Sequence, residues 1–236
     1  MIKLIKLELR RNNIRTYVIA SIIIAIFMLG FLYLFAYAPK LEPNDKDLEI
    51  FLGYNNLIPL FEVLNMAAFC VLSAVMYSKL IIEDYSGKRP ILLFSYPISR
   101  KKILFSKLSI VSFFTIFSMI ISNLIIFLIF GITEKFMNLV GQEFTVAIML
   151  QAIKITVVMA FIAASIGMIA TGIGFIKKSV PTSIVSSVIL ASLMCNIVAS
   201  TTSNMTVMTI FSLIMIFVGI LFSINLIFKV NLMEVE

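Results

Sequence analysis

The chain contains no histidine, which removes His-ligated zinc, haem held through histidine and His-based nucleophilic catalysis in one step. It has two cysteines, Cys70 and Cys195, and both fall inside long apolar runs. Neither reads as half of a structural disulfide in an oxidising loop. No Gly-x-x-x-x-Gly-Lys-Ser/Thr run occurs, and Gly87-Lys88 lacks both the upstream glycine and the following hydroxyl. The chain therefore supplies no phosphate-cradling loop of its own. Glu42, Asp45, Asp47 and Glu49 form an acidic stretch without the ligand spacing of a calcium loop, so solvation is its ordinary reading. No convergent nucleophile, base or metal set is visible, which argues against an enzyme.

Charge is also scarce. Only 13% of residues are charged and 61% are hydrophobic, with a mean hydropathy of +1.10. Soluble domains run near ~45–50% apolar with ~25% charged residues, so this composition belongs in lipid. The fold class expected is an all-α integral membrane protein of one transmembrane domain, residues 1–236. A helix needs about 20 apolar residues to cross the hydrocarbon core. Six runs meet that length: residues 16–37, 58–82, 109–130, 152–175, 183–200 and 207–228. They are continuous rather than alternating, unlike barrel strands. Gln151 and Lys154 suggest an interfacial turn leading into the fourth span. Met1–Arg15 has no short apolar core and no small-residue cleavage site, so the first apolar run is expected to stay in the mature protein.

Basic residues set the expected topology. With six spans, one side carries Lys3, Lys6, Arg10, Arg11, Arg15, Lys79, Lys88, Arg89, Arg100, Lys101, Lys102, Lys107, Lys177, Lys178 and Lys229. The other carries Lys40, Lys46, Lys135 and Lys154. Fifteen against four predicts a multi-pass protein of the cell membrane with both termini cytoplasmic. The net charge of +7 then follows from topology and anionic lipid, with no nucleic-acid partner needed.

Two elements on that side stand out. Residues 1–15 read as an amphipathic helix lying on the membrane, with Ile2, Ile5 and Leu9 on one face and Lys3, Lys6, Arg10 and Arg11 on the other. Residues 83–104 are too long and too polar for a simple turn. Ser86 and Gly87 are turn and cap residues, and Pro90 suits the first turn of a short helix. Ile91, Leu92, Leu93 and Phe94 give that helix an apolar surface, and Pro97 ends it. Ser99 then caps the approach to the third span through Arg100, Lys101 and Lys102.

The run from Glu83 through Ser86-Gly87, Leu92-Leu93 and Tyr96-Pro97-Ile98-Ser99-Arg100-Lys101-Lys102 to Lys107 resembles the first cytoplasmic loop of ABC-2-type exporter permeases. Glu83, Gly87, Leu92, Leu93, Pro97, Ser99, Arg100 and Lys107 match the pattern. Pro90 departs from it, since the family more often has threonine or another non-proline residue there. The resemblance implies a coupling helix that docks on a separate ATPase subunit, with Glu83, Gly87, Arg89, Pro90, Leu92, Leu93, Phe94, Pro97 and Arg100 as the docking residues. It also implies a second permease half, identical or related. This chain would hold no cofactor, and the partner ATPase would bind ATP and magnesium.

Inside the spans, ionisable residues are nearly absent from the centres, where each costs ~2.5–3.5 kcal/mol on insertion scales. Glu62 and Lys154 are expected towards the external ends, reaching the interface. Asn123, Asn196, Thr115 and Thr171 read as helix-to-helix hydrogen-bonding groups. Ala163/Gly167 and Ala170/Gly174 read as close packing within the subunit. A Phe- and Met-rich pathway suits hydrophobic or amphipathic cargo such as an antimicrobial peptide or a drug. The leading expectation is the permease subunit of an ATP-driven exporter. The alternative is a membrane sensor or assembly protein whose basic loop binds a regulator.

Overall fold

The computed structural model describes residues 2–41, 51–85, 99–137, 139, 140, 142, 144–201 and 204–231. Their order is α1 (Ile2–Arg11), α2 (Ile14–Leu41), α3 (Tyr54–Tyr77), α4 (Arg100–Met137), α5 (Val146–Ile176), α6 (Val180–Thr201) and α7 (Met205–Asn231). Helix α3 is prolonged by a π-helical turn, Ser78–Ile82, and a 3-10 turn, Glu83–Tyr85. No strand occurs among the described residues. Helices α2 to α7 are six elements long and apolar enough to cross a membrane, as the hydropathy predicts.

The helices outrun the apolar runs that announce them. Helix α4 begins at Arg100, nine residues before the apolar run at 109, because Arg100–Lys102 and Lys107 lower the local hydropathy without breaking the helix. Helix α5 starts at Val146 and continues through Gln151 and Lys154, so the interfacial turn expected there is replaced by regular helix. Gly53, at φ +78°, makes the left-handed turn into α3 that a side chain would strain.

Helix α5 is the centre of the bundle and packs against α3, α4, α6 and α7, while α2 lies across α3 and α4. Small residues allow the close approach. A Cβ added to Gly167 would sit 2.2 Å from Ser73 Oγ of α3, and one added to Gly174 would sit 2.9 Å from the Ser183 Cα of α6. Ala163 and Ala170 are fully buried on the same helix. Both small-residue pairs therefore serve contact within the subunit, which in lipid depends on packing rather than on water exclusion. The large apolar side chains left exposed, among them Phe27, Phe113, Leu213 and Phe217, cover the outside, as lipid requires.

Candidate functional site

One end of the bundle holds a charged cluster built from three parts of the chain. The π turn ends α3 with the Glu83 N–H bonded to the Ser78 carbonyl five residues back, which widens and rephases the helix. Asp84 follows in the 3-10 turn and is buried. Lys107 is fully buried, although it lies two turns inside α4. Its ammonium donates to Asp84 Oδ2 and, at 2.8 Å, to the carbonyl of Leu80 in the π turn. It also lies 5.7 Å from the centroid of the Tyr85 ring, which packs edge-on against Phe175 of α5. Arg11, the last residue of α1, donates through Nη2 to the same Asp84 oxygen. Glu8 lies 3.6 Å from Arg11 Nη1 and accepts from Asn12 Nδ2 at 3.2 Å. Two acids and two bases make the cluster neutral, so no charge is left buried alone.

Its position gives it meaning. Asp84 stands two residues before residues 86–98 and Lys107 nine residues after them, so one ion pair joins the end of α3 to the second turn of α4 across that segment. Arg11 ties α1 to the same point. Nearby, Lys79 pairs with Glu83 at 3.1 Å, and Lys101 lies 5.7 Å from the Phe228 ring centroid of α7. Backbone N–H groups of Lys102 and Ile103 donate to the Ser99 carbonyl at 2.9 and 3.3 Å, which starts α4 there.

Among the sequence-predicted docking residues, Glu83 and Arg100 are placed at the two roots of the segment 86–98. Gly87, Arg89, Pro90, Leu92, Leu93, Phe94 and Pro97 lie outside the described residues. The sequence alone singles out neither Asp84 nor Glu8, and it places Arg11 only on the polar face of the first helix. The available signal was Lys107 itself, a lone cation in the apolar stretch Ile103–Ile110, which demands an acidic partner once helical.

A second polar cluster lies deep between helices. Glu62 of α3 is fully buried, so the expectation that it reaches the interface is corrected. The reason is geometric: α3 begins at Tyr54, which places Glu62 about 12 Å along the helix at 1.5 Å per residue. Asn123 of α4 donates through Nδ2 to both Glu62 carboxyl oxygens, at 2.9 and 3.0 Å. Thr156 of α5 donates to Glu62 Oε1, and Asn65 donates to Asn123 Oδ1. This network joins α3, α4 and α5 about 24 Å along α4 from Lys107. Asn123 thus bonds helix to helix, as expected, whereas Thr115, Thr171 and Asn196 donate to carbonyls four residues back in their own helices, which corrects the expectation for those three. Cys70 and Cys195 are free cysteines, and the Cys195 thiol lies 3.9 Å from the Val63 carbonyl. No group of three or more His, Cys, Asp or Glu residues with metal-binding geometry occurs among the described residues.

A sequence model of the family described as ABC-2 family transporter protein matches residues 4–193. The chain is also 30% identical over 190 residues to the Uncharacterized protein YcbO of Bacillus subtilis (strain 168), covering 80% of this chain and 82% of that protein. No solved structure matches it. With six helices fit to cross a membrane and a family match over most of its length, the chain is a multi-pass membrane protein and belongs to the ABC-2 family of transporter proteins.

Proposed function

We propose that this chain is the permease subunit of an ATP-driven exporter that moves a hydrophobic or amphipathic molecule out of the cytoplasm. A separate ATPase subunit binds and hydrolyses ATP with magnesium, and a second permease half, identical or related, completes the pathway. Residues 86–98 dock on that ATPase. The observation that carries the reading is the Asp84–Lys107 ion pair, which joins the residues on either side of the basic segment. Removing one partner of a buried pair costs several kcal/mol, so the roots move together when the segment is pushed. Displacement then reaches α3 and α4 as one body instead of being absorbed in a loose loop. Both helices pack on α5, so the motion spreads through the bundle.

The test is a cysteine placed at Leu92 or Phe94, in a Cys70→Ala/Cys195→Ser background, crosslinked in membranes to a co-expressed ABC ATPase. A crosslink that ATP plus vanadate changes in yield supports docking. Absence of any ATPase adduct, with the permease folded and in the membrane, overturns it and leaves the sensor or assembly reading.

A further inference from the structure

The structure assigns an anionic-phospholipid site to the cleft between α1 and α4, with the headgroup on Lys6 and Arg10 and one acyl chain in the cleft. The inference rests only on the chain being membrane-embedded and is independent of any ATPase partner. An apolar cleft of about 280 Å³ opens there, walled by Ile5 and Leu9 of α1, Met76 of α3, and Ile110, Phe113 and Phe117 of α4. Phe113 and Phe117 are stacked, with centroids 6.2 Å apart, and form an exposed ledge along its length. From Ser109 to Phe117 the cleft follows α4 for about 12 Å, at 1.5 Å per residue. It is therefore a slot running from α1 into the bilayer, shaped for a chain and not for a compact polar solute.

Charges lie on the stripe of α1 next to the one that walls the cleft. Ile5 and Leu9 make one stripe of α1, and Lys6 and Arg10 make the next, about 100° around the helix. Lys6, Arg10 and the nearby Arg15 are all exposed. Among the described residues none of the three has an acidic side chain within ion-pair distance. Arg11 differs, because Asp84 and Glu8 hold it. The exposed cations are thus available to a lipid phosphate, and the adjoining stripe offers hydrocarbon to its chain. A zwitterionic headgroup would bring its own cation to the same place and gain less. The lipid would clasp α1 to α4 beside the Arg11–Asp84 contact, so its occupancy would strengthen the charged cluster from outside.

The experiment uses the full-length permease purified in detergent, with phosphatidylglycerol and phosphatidylcholine of identical acyl chains as probes. Lipid retained after exhaustive washing is counted by native mass spectrometry, and the apparent Tm is read alongside. The expected result is about one phosphatidylglycerol per chain, retained over phosphatidylcholine at least about tenfold, with a higher Tm. Lys6→Gln with Arg10→Gln should abolish that preference, while Lys177→Gln with Lys178→Gln, at the exposed α5–α6 turn, should preserve it. Ser109→Trp, which blocks the cleft, should remove retention of both lipids. Equal retention of the two lipids by the unmodified chain overturns the proposal. So does a preference that survives the α1 variant, or one that the α1 and α5–α6 variants weaken equally, since either means diffuse attraction to basic residues.

Discussion

Lys107 of α4 and Asp84 at the end of α3 form a buried ion pair, and the same ammonium donates a further hydrogen bond to the Leu80 carbonyl at 2.8 Å. Their separation in sequence spans the whole segment proposed to meet the ATPase. A bond between the two roots ties the end of α3 directly to α4. Arg11 brings α1 into that frame by sharing the Asp84 oxygen. Under the docking proposed for residues 86–98, such a frame would pass a push on that segment to α3 and α4 together.

The first prediction concerns that pair. Lys107→Met leaves Asp84 with only the half-exposed Arg11, and it should lower stability by about 3–5 kcal/mol, as does breaking a buried pair. Adding Asp84→Leu removes the orphaned carboxylate and should recover most of the loss, because an apolar replacement of both partners is near neutral. Thermal unfolding of the purified permease checks this. Equal Tm values for the single and double variants would show that the stranded Asp84 carboxylate is not the source of the loss. If the double variant is as stable as the unmodified chain but no longer changes its ATPase crosslink with vanadate, the pair matters for coupling rather than for folding.

The second concerns the α3–α5 contact. Gly167→Ala places a Cβ against Ser73 Oγ, the Ser73 Cβ at 3.0 Å and Tyr77 Cε2 at 3.2 Å. Overpacking of this kind costs about 1–3 kcal/mol. Ser73→Gly in the same chain should return part of it by removing the two nearest atoms. By contrast Gly30, with nothing within 4 Å of its added Cβ, should accept alanine with no loss. Comparison of the apparent Tm for the three variants tests the assignment, and equal effects at Gly30 and Gly167 would refute it.

The six spans were legible because run length and hydropathy are local properties of the sequence. The clusters were not, because their partners meet only in the fold. Glu62 bonds Asn123 and Thr156, 61 and 94 residues away, and no spacing rule joins positions so far apart. Its depth was misjudged because Asn55 and Asn56 make the first turn of α3 read as a connecting segment, so the span reads as starting only at residue 58. At the charged end the family pattern pointed to Glu83 and Lys107, yet the buried acid is Asp84. Which of two adjacent acids turns inward depends on the phase of the helix, and the π turn at Ser78–Ile82 resets it. Composition shows no trace of that turn. The small-residue pairs on α5 were legible, since their spacing of four places each pair on one helix face.

The third prediction tests the deep network. Thr156→Val keeps the shape and removes one donor to Glu62, so the cost should be about 1 kcal/mol, typical of an interhelical hydrogen bond in lipid. Asn123→Leu removes both contacts to the Glu62 carboxyl and the acceptor of Asn65 together. It leaves buried polar groups unpaired and should cost about 1–3 kcal/mol more. Denaturation in mixed micelles would rank the two, and the order Thr156→Val worse than Asn123→Leu would contradict the geometry.

The fourth prediction uses the cysteines. Cys70 is fully buried on α3, whereas Cys195 on α6 is half-buried, and both thiols are free. Thiol reactivity requires access as well as the thiolate form, and apolar burial suppresses both. N-ethylmaleimide added to the folded protein should therefore modify Cys195 slowly and leave Cys70 intact. Both should react at once after unfolding in dodecyl sulfate. Peptide mass spectrometry over a time course separates the two sites. Early modification of Cys70 would mean that α3 is not the enclosed helix described. An oxidised Cys70–Cys195 bridge in freshly extracted protein would overturn the reading of both as unpaired core residues.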